Sequence, residues 1–421
     1  MNKSKIKQQV LDQIELFKNS DGIISSTYPP SKEIISNNLD DLFPFFKYFE
    51  LESIMQEQIN NIVNVHGKFP SKNDIDIPLW SYDEWIGALF LSDNTIHHKI
   101  ANEILKEVTS DSEKYLKPVY SLNSKRAFDS FSPRTYGIFE VVFENKELID
   151  DCIYNKYIEL FKSTLEYVED FDFLPTMDKG GLNLFSYEFR TKLLNSFHYD
   201  KGVKRLVKVL MIQLLDFKFR KTMKESSNFL FSLLEFVKTD KSKIYLYKKF
   251  INNIIDIDSV PVKTYANTQI YDLCQSTAII DNICDFTYFV EKDEKFINYI
   301  CKLSDFFIEI YQEKGYMTRS RDSDIVFIDE VMDFAIALKR VSAVTKKEKY
   351  AIIANEMYHS CKVFYDKDKN TYYSFFDIKT KNKTKIDPKY NFLFLKGIII
   401  FEIDKDKDIY SKDLYALAKD R

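Results

Sequence analysis

Apolar residues recur along this chain with the spacing of helices. From Lys347 they fall at Tyr350, Ile353, Ala354, Met357, Tyr358, Cys361 and Phe364, the stripe of a helix buried on one side. The stretch from Lys146 repeats it with Ile149, Cys152, Ile153, Ile158, Phe161, Leu165 and Val168. The same period predicts helices near residues 4–18, 37–63, 81–107, 185–216, 222–255, 268–314 and 322–340. Gly (9) and Pro (10) are scarce, which suits long helices joined by short connections. No Ser/Gly/Pro-rich linker divides the chain, so the pattern predicts one all-α domain over residues 1–421. The exception is "YYSFFDIKTKNKTKID" from Tyr372, where Tyr373, Phe375 and Asp377 alternate as in a β-hairpin with a Lys-rich, solvated tip.

A weak repeat organises these helices. The stretches from Asp293 and from Lys347 both have a charged start, then an aromatic at Phe296 or Tyr350, then Tyr311 or Tyr365. Each runs on into a polar turn and a short extended piece. "IELFKNSDGIISSTY", ending at Tyr28, closes in the same way. One helical hairpin per 50–60 residues gives about six to seven hairpins, and such units must stack or close into a ring to bury their apolar faces.

Hairpins of this size with Asp-Gly turns resemble the six-hairpin (α/α)6 toroids, as does "SNNLDDLFPFFKYF", an acidic pair leading into an aromatic helix. That superfamily includes glycoside hydrolases, polysaccharide lyases and sugar epimerases. The resemblance implies an (α/α)6-type toroid with short β-hairpin pieces at one end. It also implies a substrate bowl lined by aromatics and carboxylates from helix ends.

Three constellations carry candidate chemistry. In "NNLDDLF", Ser36 or Asn37 is placed to cap a helix, with Asp40 near the third helical position, where a carboxylate gains from the helix dipole. Asp41 lies about 100° further round, and is the candidate catalytic acid, since glycoside cleavage needs a pair of carboxylates. In "IPLWSYDEWIGALF", Ser81 and Glu84 have capping-box spacing and Trp80 and Trp85 that of a hydrophobic staple. The functional reading of the same residues has Trp80, Tyr82 and Trp85 contacting a sugar face while Asp83 is acid or base. Tyr28 joins this aromatic set. "FSPRTYGIFE" supplies Arg134 and Tyr136, and "GYMTRSRDSD" supplies Arg319 and Arg321. Loop arginines suit an anion such as a uronate; the alternative is a solvated loop in which Arg321 pairs with Asp322 or Asp324.

Composition narrows the classes. A net charge of −4 and a pI near 5.9 give no global attraction to nucleic acid or anionic membrane. Five Cys without C-x-x-C argue against disulfides and structural zinc, and His97 and His98 point to different sides of a helix, so no metal or cofactor is implied. The N-terminus reads as an amphipathic helix and no apolar run reaches a membrane span, which predicts a cytoplasmic protein. The leading expectation is a hydrolase, lyase or epimerase acting on an acidic or complex glycan, taking an oligosaccharide or another small molecule as ligand. The alternative is a non-catalytic helical toroid that binds a protein or ligand. A third reading is a terpene-cyclase-like enzyme, since "NLDD" departs by one residue from the D-x-D-D acid motif of those enzymes.

Overall fold

The computed structural model describes residues 3–31, 39–70, 76–79, 82–128, 135–169, 241–256, 262–265 and 268–418, with isolated positions between 230 and 260. The expected helix over 185–216 lies outside the described residues, as do Trp80, Ser81 and Arg134.

In chain order the helices begin with α1 (Lys3–Phe17), α2 (Leu39–Tyr48) and α3 (Glu52–His66), followed by strand β1 (Asp76–Pro78). Then come α4 (Asp83–Leu91), α5 (Thr95–Val108), β2 (Val119–Ser121), β3 (Arg126–Phe128), α6 (Tyr136–Glu144) and α7 (Asp151–Glu169). The later half has α8 (Ile244–Asp256), β4 (Val262–Tyr265), β5 (Thr268–Tyr271), α9 (Leu273–Phe289), α10 (Glu294–Lys314), β6 (Ile325–Phe327) and α11 (Ile328–Thr345). It ends with α12 (Glu348–Ser360), β7 (Tyr365–Asp366), β8 (Thr371–Tyr372), β9 (Phe375–Asp377), β10 (Lys383–Thr384), α13 (Pro388–Ile398) and α14 (Lys412–Ala418). The described chain is thus mainly helical with a few short strands.

Several long apolar patterns resolve into helix pairs at residues suited to breaking a helix. The 37–63 pattern breaks where Glu50 takes a positive φ of 57°. The 81–107 pattern restarts at Asn94, whose side chain accepts the Ile96 amide at 2.9 Å. The 268–314 pattern restarts at Asp293, which accepts the Lys295 amide at 3.0 Å. Each carboxylate or amide satisfies an amide that the new helix leaves without a partner. At its far end α10 stops on Gly315, whose left-handed φ of 72° costs a glycine nothing.

Packing divides the chain into two compact units. Residues 20–23 and 35–217 make one. Within it α2 packs on α3 and α4, α4 on α5 and α6, and α6 on α7, so every second helix meets the next but one. This explains why α4 is apolar all round, with Trp85, Ile86, Ala88, Leu89 and Phe90 buried, whereas α5 is amphipathic. β1, β2 and β3 form an antiparallel sheet in the order β1-β2-β3.

Residues 1–19, 24–34 and 218–421 make the other unit, built in the same alternating way. Here α9 packs on α10 and α11, while α11 also meets α12 and α13, and α1 packs on α13. Val331, Phe334, Leu338 and Val341 of α11 are almost fully buried, each contributing roughly 1.5–3 kcal/mol. The Lys-tipped hairpin forms as β9 and β10, and β6 pairs on its other side with Val326 opposite Phe376. The Ile328 amide donates to the Ser374 carbonyl at 3.1 Å, so β6 is locked where it turns into α11. That junction positions the cluster described next.

Candidate active site

Three helices of the second unit bring their N-termini together with the loop that precedes β6. Arg319 leaves this loop and donates from Nε to Glu330 Oε1 at 2.6 Å. Its Nη2 pairs with the same oxygen. The guanidinium also lies 3.7 Å from the centroid of the Phe327 ring, a stacked cation–π arrangement that fixes its plane. Cys274 of α9 donates its thiol to Glu330 Oε1 at 3.6 Å, bringing the start of α9 against the start of α11. Burial and the nearby Glu330 push that thiol far up, so Cys274 is a donor and not a nucleophile.

Asp329 stands beside Glu330 in the first turn of α11. Burial above all, and then the Glu330 charge, push its carboxyl up to about 6. Its Oδ1 is buried without a hydrogen-bond partner, as are the hydroxyls of Ser276 and Thr277 on α9 and of Ser374 before β9. Tyr390 of α13 is pushed up to about 12 by burial and by the charges of Asp329, Asp387 and Glu330. Asp272 and Asp387 are spent as helix caps, accepting the Gln275 and Lys389 amides at 3.1 Å each. The result is a carboxyl pushed up to about 6, a second carboxylate clamped by an arginine, and a phenol. A raised carboxyl beside a carboxylate held by an arginine is an arrangement that acid–base chemistry can use.

The chain is similar to two solved sugar-epimerase structures. One is a sugar epimerase from a ruminal bacterium, matched with a TM-score of 0.46 at 12% identity over 96% of this chain and 100% of that one. The other is cellobiose 2-epimerase from Bacillus thermoamylovorans B4167, with a TM-score of 0.45 at 10% identity over 94% of this chain and 98% of that one. No family model and no curated protein sequence matches the chain.

The residues singled out in the sequence are placed variously. α2 begins at Leu39, so Asp41 and not Asp40 stands third in the helix, where the dipole favours a carboxylate. The side chains of Asp40, Asp41 and Tyr136 lie outside the described residues. The N-cap of α4 is Tyr82, with no side-chain cap bond; Ser81, one half of the expected capping box, lies outside the described residues. Tyr82 and Trp85 are core residues at 2% and 0% exposure, so neither offers a ring face to a ligand. Their polar ends are satisfied internally, Tyr82 Oη donating to the Pro70 carbonyl at 3.0 Å and Trp85 Nε1 to the Lys68 carbonyl at 3.2 Å. Tyr28 packs edge-on to Phe17 with ring centroids 6.0 Å apart.

Arg319 and Arg321 each pair with a protein carboxylate on another part of the chain. Arg319 takes Glu330, and Arg321 takes Glu309 and Glu313 of α10 at 3.4 and 3.2 Å, neither of them the Asp322 or Asp324 expected from proximity in sequence. His97 is held by Ser92 Oγ at 2.7 Å and Asn60 Oδ1 at 2.9 Å, and burial lowers its pKa. Among the described residues no group of three His, Cys, Asp or Glu is arranged to hold a metal ion, and no helix is long and apolar enough to cross a membrane.

Asp83 is packed rather than open. A Cβ added at Gly137 of α6 would lie 2.7 Å from Asp83 Cγ and 3.0 Å from its Cβ, so only glycine lets α6 pass this carboxylate. Gly137→Ala is expected to destabilise the protein by roughly 1–3 kcal/mol. In an Asp83→Ala background most of that loss should disappear. Equal losses in both backgrounds, measured by urea unfolding, would show that the overlap is not what constrains the position.

Proposed function

We propose that this chain is a carbohydrate-active enzyme of the helical-hairpin type, with Asp329 as the group that gives and takes the proton. One observation carries the reading: a mostly buried carboxyl, unpartnered at Oδ1 and pushed up to about 6, beside a carboxylate already held by Arg319. Below about pH 6 Asp329 is a proton donor and above it a base, so it can serve both halves of a transfer at neutral pH. Tyr390 is the second proton carrier and Glu330 the fixed charge. The half-buried Phe375 ring, packed edge-on to Phe327, offers apolar surface of the kind that the C–H face of a polyol takes. Asp41 and Asp83 enter the proposal as further carboxylates at helix starts in the other unit.

The test is turnover by wild type and Asp329→Asn on a panel of neutral, amino and uronate sugars. New reducing ends would report hydrolysis, unsaturated products elimination, and a changed ring configuration by NMR epimerisation. We expect one of these in wild type and a loss of at least about a hundredfold in the variant. Turnover that survives the substitution contradicts the assignment. The pairing of Arg319 and Arg321 with protein carboxylates favours a second reading, a non-catalytic binding protein, for which ligands bind but no product forms.

A further inference from the structure

We infer that the solvent-side face of the β1-β2-β3 sheet is a binding site for an uncharged sugar ring. The inference stands on the sheet and the cleft above it, and no part of it uses Asp329. Strand register sorts the side chains. Asp76, Ser121 and Arg126 stand opposite one another across the three strands, and Pro78, Val119 and Phe128 make a second row on the same face. The row between them, Ile77, Tyr120 and Ala127, points to the other face and is buried. Tyr120 anchors that face, stacked on Phe69 with ring centroids 5.1 Å apart and donating from Oη to Glu107 of α5 at 3.2 Å. The sheet is therefore a fixed platform and not a loose hairpin.

Over this platform lies a cleft of about 490 Å³, whose lining includes Asp76, Asp111, Lys117, Ser121, Arg126 and Phe128. That volume falls within the roughly 300–1,000 Å³ of small-molecule sites. Arg126 meets Asp111 at 3.6 Å, beyond hydrogen-bond range, so the guanidinium keeps its donors for a ligand. Two carboxylates balance two cations in this lining, which leaves no net charge. An incoming anion would draw Arg126 from Asp111 and face two unmatched carboxylates, and an incoming cation would do the reverse. A hydroxyl both donates and accepts, so a polyol meets the carboxylates, the cations and the Ser121 hydroxyl without upsetting that balance. Phe128 is 42% exposed at the cleft. One ring is far too little apolar surface for a protein interface, but it matches the C–H face of one sugar.

The amide resonances of Ser121, Arg126 and Phe128, followed in the full chain by NMR during titration with glucose, galactose, mannose and maltose, test this at the site itself. At least one of these sugars should move all three along a saturating curve, in wild type and in Asp329→Asn alike. Glucuronate and glucosamine should need about fivefold higher concentrations, since each brings a charge that the balanced lining opposes. Phe128→Ala should raise the half-saturating concentration about tenfold, read at Ser121 and Arg126. Arg126→Ala should raise it at least about threefold, read at Ser121 and Phe128. Both substitutions are at exposed side chains, and circular dichroism checks that the variants remain folded. The inference is overturned by amides that do not respond to any of the four sugars, by tighter binding of glucuronate, glucosamine or glycine, or by a Phe128→Ala variant that binds as wild type does. Turnover that survives Asp329→Asn would refute the catalytic proposal and leave this cleft untouched, so the two failures are distinct.

Discussion

Asp329→Asn is expected to make the protein inactive and, at pH 7.5, more stable than wild type by roughly 2–3 kcal/mol. The folded carboxyl titrates near 6 against 3.8 for the unperturbed group, and about two pKa units correspond to about 3 kcal/mol. The sign follows from which state holds the proton more firmly. Because the folded value is the higher one, the native state gains from a protonated Asp329 below about pH 4. It loses that gain as pH rises through about 6, where the buried group must ionise. The amide never ionises, so its advantage should be full above pH 6 and vanish near pH 4. Urea unfolding at pH 4, 5, 6 and 7.5 measures the difference. A gap that does not change with pH would remove the ground for treating Asp329 as strained by function.

Asp285→Ala is expected to act in the opposite direction, with a loss of about 3–5 kcal/mol. Arg340 is 2% exposed and lies 3.4 Å from Asp285 and 3.6 Å from Asp281, both on the facing helix α9. Those carboxylates hold the guanidinium charged against the burial that opposes it. Asp285 also accepts the Tyr415 hydroxyl at 2.7 Å, which ties α14 to α9. Removing Asp285 leaves Arg340 buried with a single carboxylate and frees the C-terminal helix. The double variant Asp285→Leu/Arg340→Met should recover most of the loss, because an apolar pair of similar volume avoids the desolvation of both charges. Hydrogen exchange over residues 412–418 should rise in Asp285→Ala and return in the double variant. A single variant as stable as wild type would show that the pair contributes nothing net.

The helical pattern was readable because burial on one side imposes a period that any stretch displays locally. The breaks at Glu50, Asn94 and Asp293 were harder, since apolar spacing alone continues across a tight turn. Tyr82 and Trp85 misled for a related reason. Aromatic–acidic spacing looks alike whether the rings face a ligand or the core, and only packing against neighbours decides which. "VFIDEVMDF" has the same acid pair at a helix start as "NLDDLF", and nothing within either segment tells them apart. What distinguishes Asp329 and Glu330 is Arg319 from a loop, Cys274 from α9 and Tyr390 from α13, brought there by the pairing of β6 with β9 and by the packing of α9 and α13 on α11. Those are long-range contacts, and a single sequence does not display them. The partners of Arg319 and Arg321 were set by this same tertiary packing.

Asp329 is proposed as a proton-transfer carboxyl set apart by its surroundings. Its titration, followed by the carboxyl carbon resonance in selectively labelled protein and assigned by its loss in Asp329→Asn, tests that without knowledge of any substrate. A midpoint near 6 is the expected result. A midpoint near 4, the value of an ordinary solvated aspartate, would contradict it.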